Sequence, residues 1–216
     1  MMSKKIGIIG SGIVGQTLAN GFIKHGYEVM IGTNTASKHA ELKEKTGGKA
    51  RVGSFEASAK FGDIVVLAAK GTAAENTVKL AGITNLKGKT VIDATNPIAD
   101  TPPVNGVLQY FTSMNDSLME RLQRIAPEAN FVKSFSCVGN PFMVNPDFGG
   151  VKPTMFICGN NDGAKNEVKA ILNQFGWEVE DMGKVEGARA IEPLAMLWCI
   201  PGLSHNSWMH AFKLLK

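Results

Sequence analysis

Gly10, Gly12 and Gly15 fall in the run Gly10-Ser11-Gly12-Ile13-Val14-Gly15, a G-x-G-x-x-G spacing. Glycines so placed do three things that side chains would prevent. Gly10 permits a tight turn, Gly12 lets a ligand approach bare backbone, and Gly15 lets a helix pack closely on a strand. The run follows Lys4–Ile9 (KKIGII), a short apolar strand pattern, and precedes a helix-compatible stretch, Gln16–His25. A strand, a glycine turn and a helix in that order aim unpaired N–H groups and a partial positive charge at the turn. That chemistry suits the pyrophosphate of a dinucleotide. The alternative is a glycine-rich turn that binds nothing.

Three further stretches extend this line. In folds that take NAD, an acid at the end of the second strand holds the ribose diol and repels a 2′-phosphate. Here the strand ends Gly32-Thr33-Asn34-Thr35, without an acid, and Lys38 follows. Hydroxyls, an amide and a nearby ammonium favour NADP over NAD; a plain polar turn with a helix cap at Thr35 or Ser37 is the other reading. A nicotinamide would then lie near Ala68-Ala69-Lys70-Gly71-Thr72 and Asp93-Ala94-Thr95-Asn96-Pro97-Ile98. Small residues there admit a ring, Asn96 suits a carboxamide or ribose, and Pro97 fixes a turn. Asp93 lies inside a strand pattern and reads as structural.

The elements that must position these residues alternate. Strands are expected at Tyr27–Gly32, Arg51–Phe55, Asp63–Ala69, Thr90–Thr95, Asn130–Cys137, Thr154–Gly159 and Glu178–Met182. Helices are expected over Lys38–Lys45, Glu56–Phe61, Ala73–Ala81, Asn115–Ile125 (capped by Asn115 or Ser113) and Asp162–Phe175. Gly187–Leu215 reads as helical with interruptions at Pro193 and Pro201. Near-continuous apolar strands between helices predict an α/β fold, a doubly wound parallel sheet of Rossmann type with a small C-terminal helical portion. The expected division is a nucleotide-binding domain over residues 1–186 and a helical segment over 187–216. The long stretch Val138–Lys152, rich in glycine and proline, is a candidate functional loop.

Composition narrows the classes. At 216 residues, 44 % hydrophobic and 19 % charged, the chain suits a packed single domain. Its net charge of +4 comes from scattered lysines and arginines rather than a basic stripe, which argues against nucleic acid. Cys137, Cys158 and Cys199 lack metal or disulfide spacing and read as reduced thiols. Met1–Lys5 reads as part of the first strand rather than a leader. Pro193–Leu203 is too short for a membrane span. No metal and no membrane association are expected, and a cytoplasmic location is.

The pieces KKIGIIGSGIVGQTLA, VMIGTN, DIVVLAAKG, VIDATNPI, NFVKSFSCVGNPFMVNP, MFICGNNDGAK and GARAIEPLAMLW together resemble the coenzyme F420-dependent NADP oxidoreductases over nearly the full length. They are also similar to the cytosolic oxidoreductase domain of the STEAP metalloreductases. The resemblance implies a homodimer. It implies NADP (as NADPH) along Gly10–Val14, Thr33-Asn34, Ala69-Lys70 and Asn96–Ile98, and a flavin or deazaflavin ring in a second pocket. That pocket would draw on Ser136–Phe142, including Val138, Gly139 and Asn140, and on the C-terminal helix around Leu197 and Pro201. Members of the family commonly carry Arg where this chain has Asn34.

The activity so implied is hydride transfer between NADP(H) and a flavin-like acceptor: coenzyme F420 or a related flavin, with FMN or FAD as the flavin-reductase or ferric-reductase alternative. Such transfer needs alignment more than acid–base chemistry, so no catalytic side chain is assigned. Backbone N–H groups of Val138–Asn140 are candidates for stabilising charge on the acceptor. His205 and His210, five apart, share no helix face; His25 reads as the end of the first helix. Trp177, Trp198, Met196 and Met209 read as core or contact residues, and Glu192 and Asp181 as isolated acids. An imine reductase would need a longer helical domain after Gly187. A sensor that binds NADP(H) without turnover is the non-enzymatic alternative.

Overall fold

The computed structural model describes residues 4–216, so part of the expected first strand, Met1–Ser3, lies outside the described residues. The chain runs β1 (Lys5–Ile9), α1 (Ile13–Lys24), β2 (Glu28–Gly32), α2 (His39–Lys45), β3 (Arg51–Gly53), α3 (Phe55–Phe61), β4 (Ile64–Leu67), α4 (Gly71–Ala81), α5 (Ile83–Leu86) and β5 (Thr90–Asp93). It continues through α6 (Leu118–Ile125), β6 (Asn130–Lys133), β7 (Thr154–Ile157), α7 (Asp162–Gln174), β8 (Glu178–Asp181) and α8 (Ala188–His205). Six strands form one parallel sheet in the order β3-β2-β1-β4-β5-β6. The order reverses between β1 and β4, which is the switch point of a Rossmann fold. β7 and β8 pair in parallel as a second sheet, joined to β6 by an antiparallel bridge between Lys133 and Cys158.

Strands with two apolar faces explain the layering. In β4, Ile64 and Val66 enter one buried cluster with Ile6, Ile8, Leu18, Phe22 and Ile31. Val65 and Leu67 enter the other, with Ala74, Val78, Leu118 and Leu122. Alternation with period two thus buries both sides of the sheet under helices. Gly7 lets α3 press on β1, because a Cβ there would overlap the Ser58 carbonyl.

Three expectations are corrected. Helix α6 begins at Leu118, three residues later than Asn115. Its cap is Ser117, whose hydroxyl accepts from the Glu120 N–H while the Glu120 carboxylate accepts from the Ser117 N–H. This reciprocal box satisfies two orphan donors at once. Helix α8 continues through Pro193 and Pro201, then stops at His205; Asn206 takes φ 52° and residues 206–216 are not helical. Proline removes an internal hydrogen bond, but α8 buries Ile191, Ala195, Trp198 and Gly202 on one side and packing keeps it whole. The tail instead runs along β7, where Thr154 N–H donates to the Phe212 carbonyl. Finally, β6 ends at Lys133 rather than Cys137. Phe135 has φ 61°, which breaks the strand and turns the chain into the loop after it.

Candidate functional site

The glycine turn has the geometry that its spacing asks for. Gly10 has φ 128° and a Cβ on it would strike the Ala68 carbonyl, so only glycine fits. A Cβ on Gly15 would overlap the Gly10 carbonyl oxygen, which fixes how closely α1 sits on β1. Gly12 has ordinary backbone angles and nothing within 4 Å of its Cβ position. It therefore keeps an open face rather than filling a packing need. It is the N-cap of α1, with no side-chain cap and no acid in the first turn. The N-terminal N–H groups of α1 lie behind that open face, with the helix dipole adding positive potential.

The end of β2 meets this turn. Ser11 Oγ donates to Thr33 Oγ1 at 3.0 Å, and the Thr35 N–H reaches the same oxygen at 3.2 Å. Thr33 is buried, Asn34 exposed. Lys38 lies further on, its N–H bonded to the Thr35 carbonyl. Its charge bears on Glu41, whose carboxyl is held low first by Lys45.

The ends of β4, β5 and β6 lie side by side in the sheet. A Cβ on Gly71 would overlap the Asn96 carbonyl, so α4 starts against the Asn96 turn. Lys70 pairs with Asp100 across an exposed surface. The Asn96 side-chain amide donates to the Ser136 carbonyl at 2.9 Å, while Asn96 Oδ1 is buried with no hydrogen-bond partner. Ser134 Oγ and Ser136 Oγ are likewise buried and unpartnered. The Pro97 carbonyl accepts from Phe111 N–H, and Ile98 bridges Tyr110, so these two hold the 98–111 segment in place. Val138 is buried. Gly139 presses on α8: its Cβ would lie 2.6 Å from Trp198 Cη2. Trp198 itself stacks on His210 and Trp208, with ring centroids at 4.9 and 5.6 Å. Leu197 is exposed on the same helix.

A buried ionic group beneath these ends escaped the sequence reading. Glu192 is not isolated. Lys133 Nζ lies 2.7 Å from Asp93 Oδ2 and 2.8 Å from Glu192 Oε1, and all three side chains are at most 2 % exposed. Burial opposes the lysine's charge, but the two carboxylates outweigh it and raise its pKa. Asp181 is not isolated either; it pairs with Lys165 at 2.8 Å. His210 lies beyond the helix, with its ring nitrogen 2.8 Å from the Trp198 carbonyl. Trp177 is core, its indole N–H donating to the Met143 carbonyl.

Residues 5–97 match the model of the family described as NADP oxidoreductase, coenzyme F420-dependent. The chain is similar to the F420-dependent NADP oxidoreductases. The crystal structure of a candidate F420-dependent NADP-reductase from Arthrobacter sp. FB24 superposes with a TM-score of 0.91 at 28 % identity, covering 99 % of this chain and 100 % of that one. Metalloreductase STEAP3 of Rattus norvegicus is 27 % identical over 204 residues, 92 % of this chain; the match spans 38 % of the length of that relative. A reductive aminase from Aspergillus terreus, solved with NADPH and ethyl levulinate, shares the fold with a TM-score of 0.65 at 20 % identity, over 91 % of this chain and 60 % of that one. Among the described residues, no helix is long and apolar enough to cross a membrane.

Proposed function

We propose that this chain binds NADP(H) across the carboxyl ends of its parallel strands and passes hydride between it and a flavin-like acceptor, coenzyme F420 or a related flavin. The observation that carries the reading is the open face of Gly12 at the uncapped start of α1, beside the Ser11 and Thr33 hydroxyls. The residues present fit the nucleotide. Gly10 to Gly15 shape a cradle for a pyrophosphate. Ser11, Thr33 and Asn34 would hold a 2′-phosphate, with Lys38 adding charge one turn on. Ala69, Lys70 and Gly71 would floor the nicotinamide, and the unpartnered Asn96 Oδ1 is an acceptor suited to its carboxamide. Pro97 and Ile98 hold that turn. When bound, NADPH supplies a hydride from its nicotinamide.

The chain's own part is alignment and exclusion of water. Val138, Gly139 and Asn140 form the far wall, where backbone N–H groups would stabilise charge on the acceptor. Trp198 backs that wall through Gly139. The similarity to a metalloreductase supports FMN, FAD or ferric chelates as a second acceptor class. Exposed Leu197, Leu203 and Met209 give the C-terminal portion an apolar surface suited to a homodimer, and light scattering of the purified chain tests that.

The functional test is NADPH and NADH oxidation with F420, FMN, FAD, riboflavin and ferric chelates in turn. Turnover with F420 and NADPH is the expected result. Turnover only with FMN, FAD or ferric chelates assigns a flavin or ferric reductase. Tight NADPH binding without oxidation by any acceptor overturns the enzymatic reading in favour of a sensor.

A further inference from the structure

The buried ionic group has no place in hydride transfer, yet it touches both walls of the candidate site. Lys133 Nζ donates to the Thr95 carbonyl at 2.8 Å and forms ion pairs with Asp93 Oδ2 and Glu192 Oε1 at 2.7 and 2.8 Å. Asp93 Oδ1 accepts from the Thr95 N–H at 2.9 Å and the Thr95 hydroxyl at 2.6 Å. Thr95 is thus gripped at its carbonyl, amide and hydroxyl, and Asn96 is the next residue. Glu192, on α8, also accepts from Met119 and Leu118 N–H at 3.0 Å each. Two carboxylates against one ammonium leave a net negative charge, set at the N-terminus of α6 where the dipole favours it. Well-packed apolar residues often serve stability as well as a buried ion pair does. A fully buried triad at this place therefore points to geometry rather than to stability alone.

The geometry points to Lys133 as the positioning residue of the site: through Glu192 it ties α8 to Thr95, so that the helix backing the acceptor wall also sets where Asn96 stands. The inference rests on the NADP reading above. It predicts damage confined to the nicotinamide half of the ligand, because Thr33 and the glycine turn share no atom with the triad.

The test is calorimetric titration of NADP⁺ and of adenosine 2′,5′-bisphosphate, which lacks the nicotinamide half. Lys133→Met and Glu192→Gln weaken NADP⁺ about tenfold, as loss of one well-placed hydrogen bond would, and leave the bisphosphate within twofold. Should Lys133→Met fail to fold, Glu192→Gln carries the test, since it keeps the side-chain volume and one acceptor for α6. Arg189→Met is the control. It removes the bidentate pair to Glu120 that also joins α6 to α8, and both affinities stay at wild-type values. Equal weakening of the two ligands in the triad variants, or none, overturns the positioning role while leaving the NADP reading intact. Wild-type protein that binds neither ligand overturns both.

Discussion

Replacing Gly12 with alanine separates binding from folding. The Cβ would enter open space, since nothing lies within 4 Å, and φ −72° with ψ −179° is allowed to any residue. Alanine is a poorer N-cap than glycine by roughly 0.5–1 kcal/mol, while its stiffer unfolded chain returns about 0.4–1 kcal/mol. Net stability should change by less than about 1 kcal/mol, read as the urea midpoint. Binding should suffer much more. The methyl stands where a pyrophosphate must meet the N–H groups of α1, and losing two charge-assisted hydrogen bonds at about 1.5 kcal/mol each costs about 3 kcal/mol, or roughly 150-fold in Kd. Gly15→Ala is the contrast. Its Cβ overlaps the Gly10 carbonyl oxygen, so helix and strand must separate and stability falls by about 1–3 kcal/mol. The assays are urea denaturation and NADP⁺ titration of both variants. A Gly12→Ala protein that binds NADP⁺ like wild type would refute the reasoning, because the open face would then serve no ligand.

Other outcomes follow from residues already described. Asn34→Arg places a planar guanidinium at the end of β2, where it can pair with a 2′-phosphate; the ratio of kcat/KM for NADPH over NADH should rise about tenfold, and an unchanged ratio would remove this strand end from the nucleotide site. The hydrogen bonds from Arg189, then those at Ser117, hold the Glu120 carboxyl down to about 2. A folded pKa below the unfolded one stabilises the protein above the unfolded value and loses that stability as pH falls. Urea midpoints should therefore drop between pH of about 4.5 and about 2, and Glu120→Gln should flatten the drop. Burial pushes the Cys137 and Cys158 thiols up to about 12, whereas Cys199 is half-buried. Iodoacetamide at mild alkaline pH should label Cys199 first in the native protein, and all three only after denaturation; early labelling of Cys137 by mass spectrometry would contradict its burial.

The sheet was legible because apolar runs such as IVVL in β4 face a core on both sides, so each strand announces itself locally. The glycine turn was legible for the same reason: its spacing is its geometry. The cap of α6 was misplaced although Ser117 and Glu120 stand in the S-x-x-E pattern that marks a capping box; the polar stretch before it offered earlier caps at Ser113 and Asn115, and local preference does not rank them. The prolines of α8 read as breaks because their cost is local, whereas the burial that outweighs it comes from the rest of the protein. Glu192 and Asp93 read as isolated or merely structural because the lysine that joins them lies on a third element. No spacing rule relates β5, β6 and α8; only the sheet order brings their ends together. The positive φ of Phe135 is likewise invisible in sequence, since aromatic residues rarely adopt it.

The position of Lys133 has a consequence for how the protein comes to be made. Its ammonium is buried between a carboxylate synthesised earlier and one synthesised well after it, on α8. While a nascent chain lacks Glu192, the parallel sheet can close around Lys133 only with one of its two carboxylates in place, and the N–H groups of Leu118 and Met119 lack their acceptor. Desolvating charge without full pairing is costly. Strands β1 to β6 can assemble in sequence as they emerge, but the carboxyl ends where the candidate site lies stay unfinished until α8 docks. Helix α8 therefore completes the strand ends only after the sheet is made: a chain stalled before Glu192 has the sheet without the finished site.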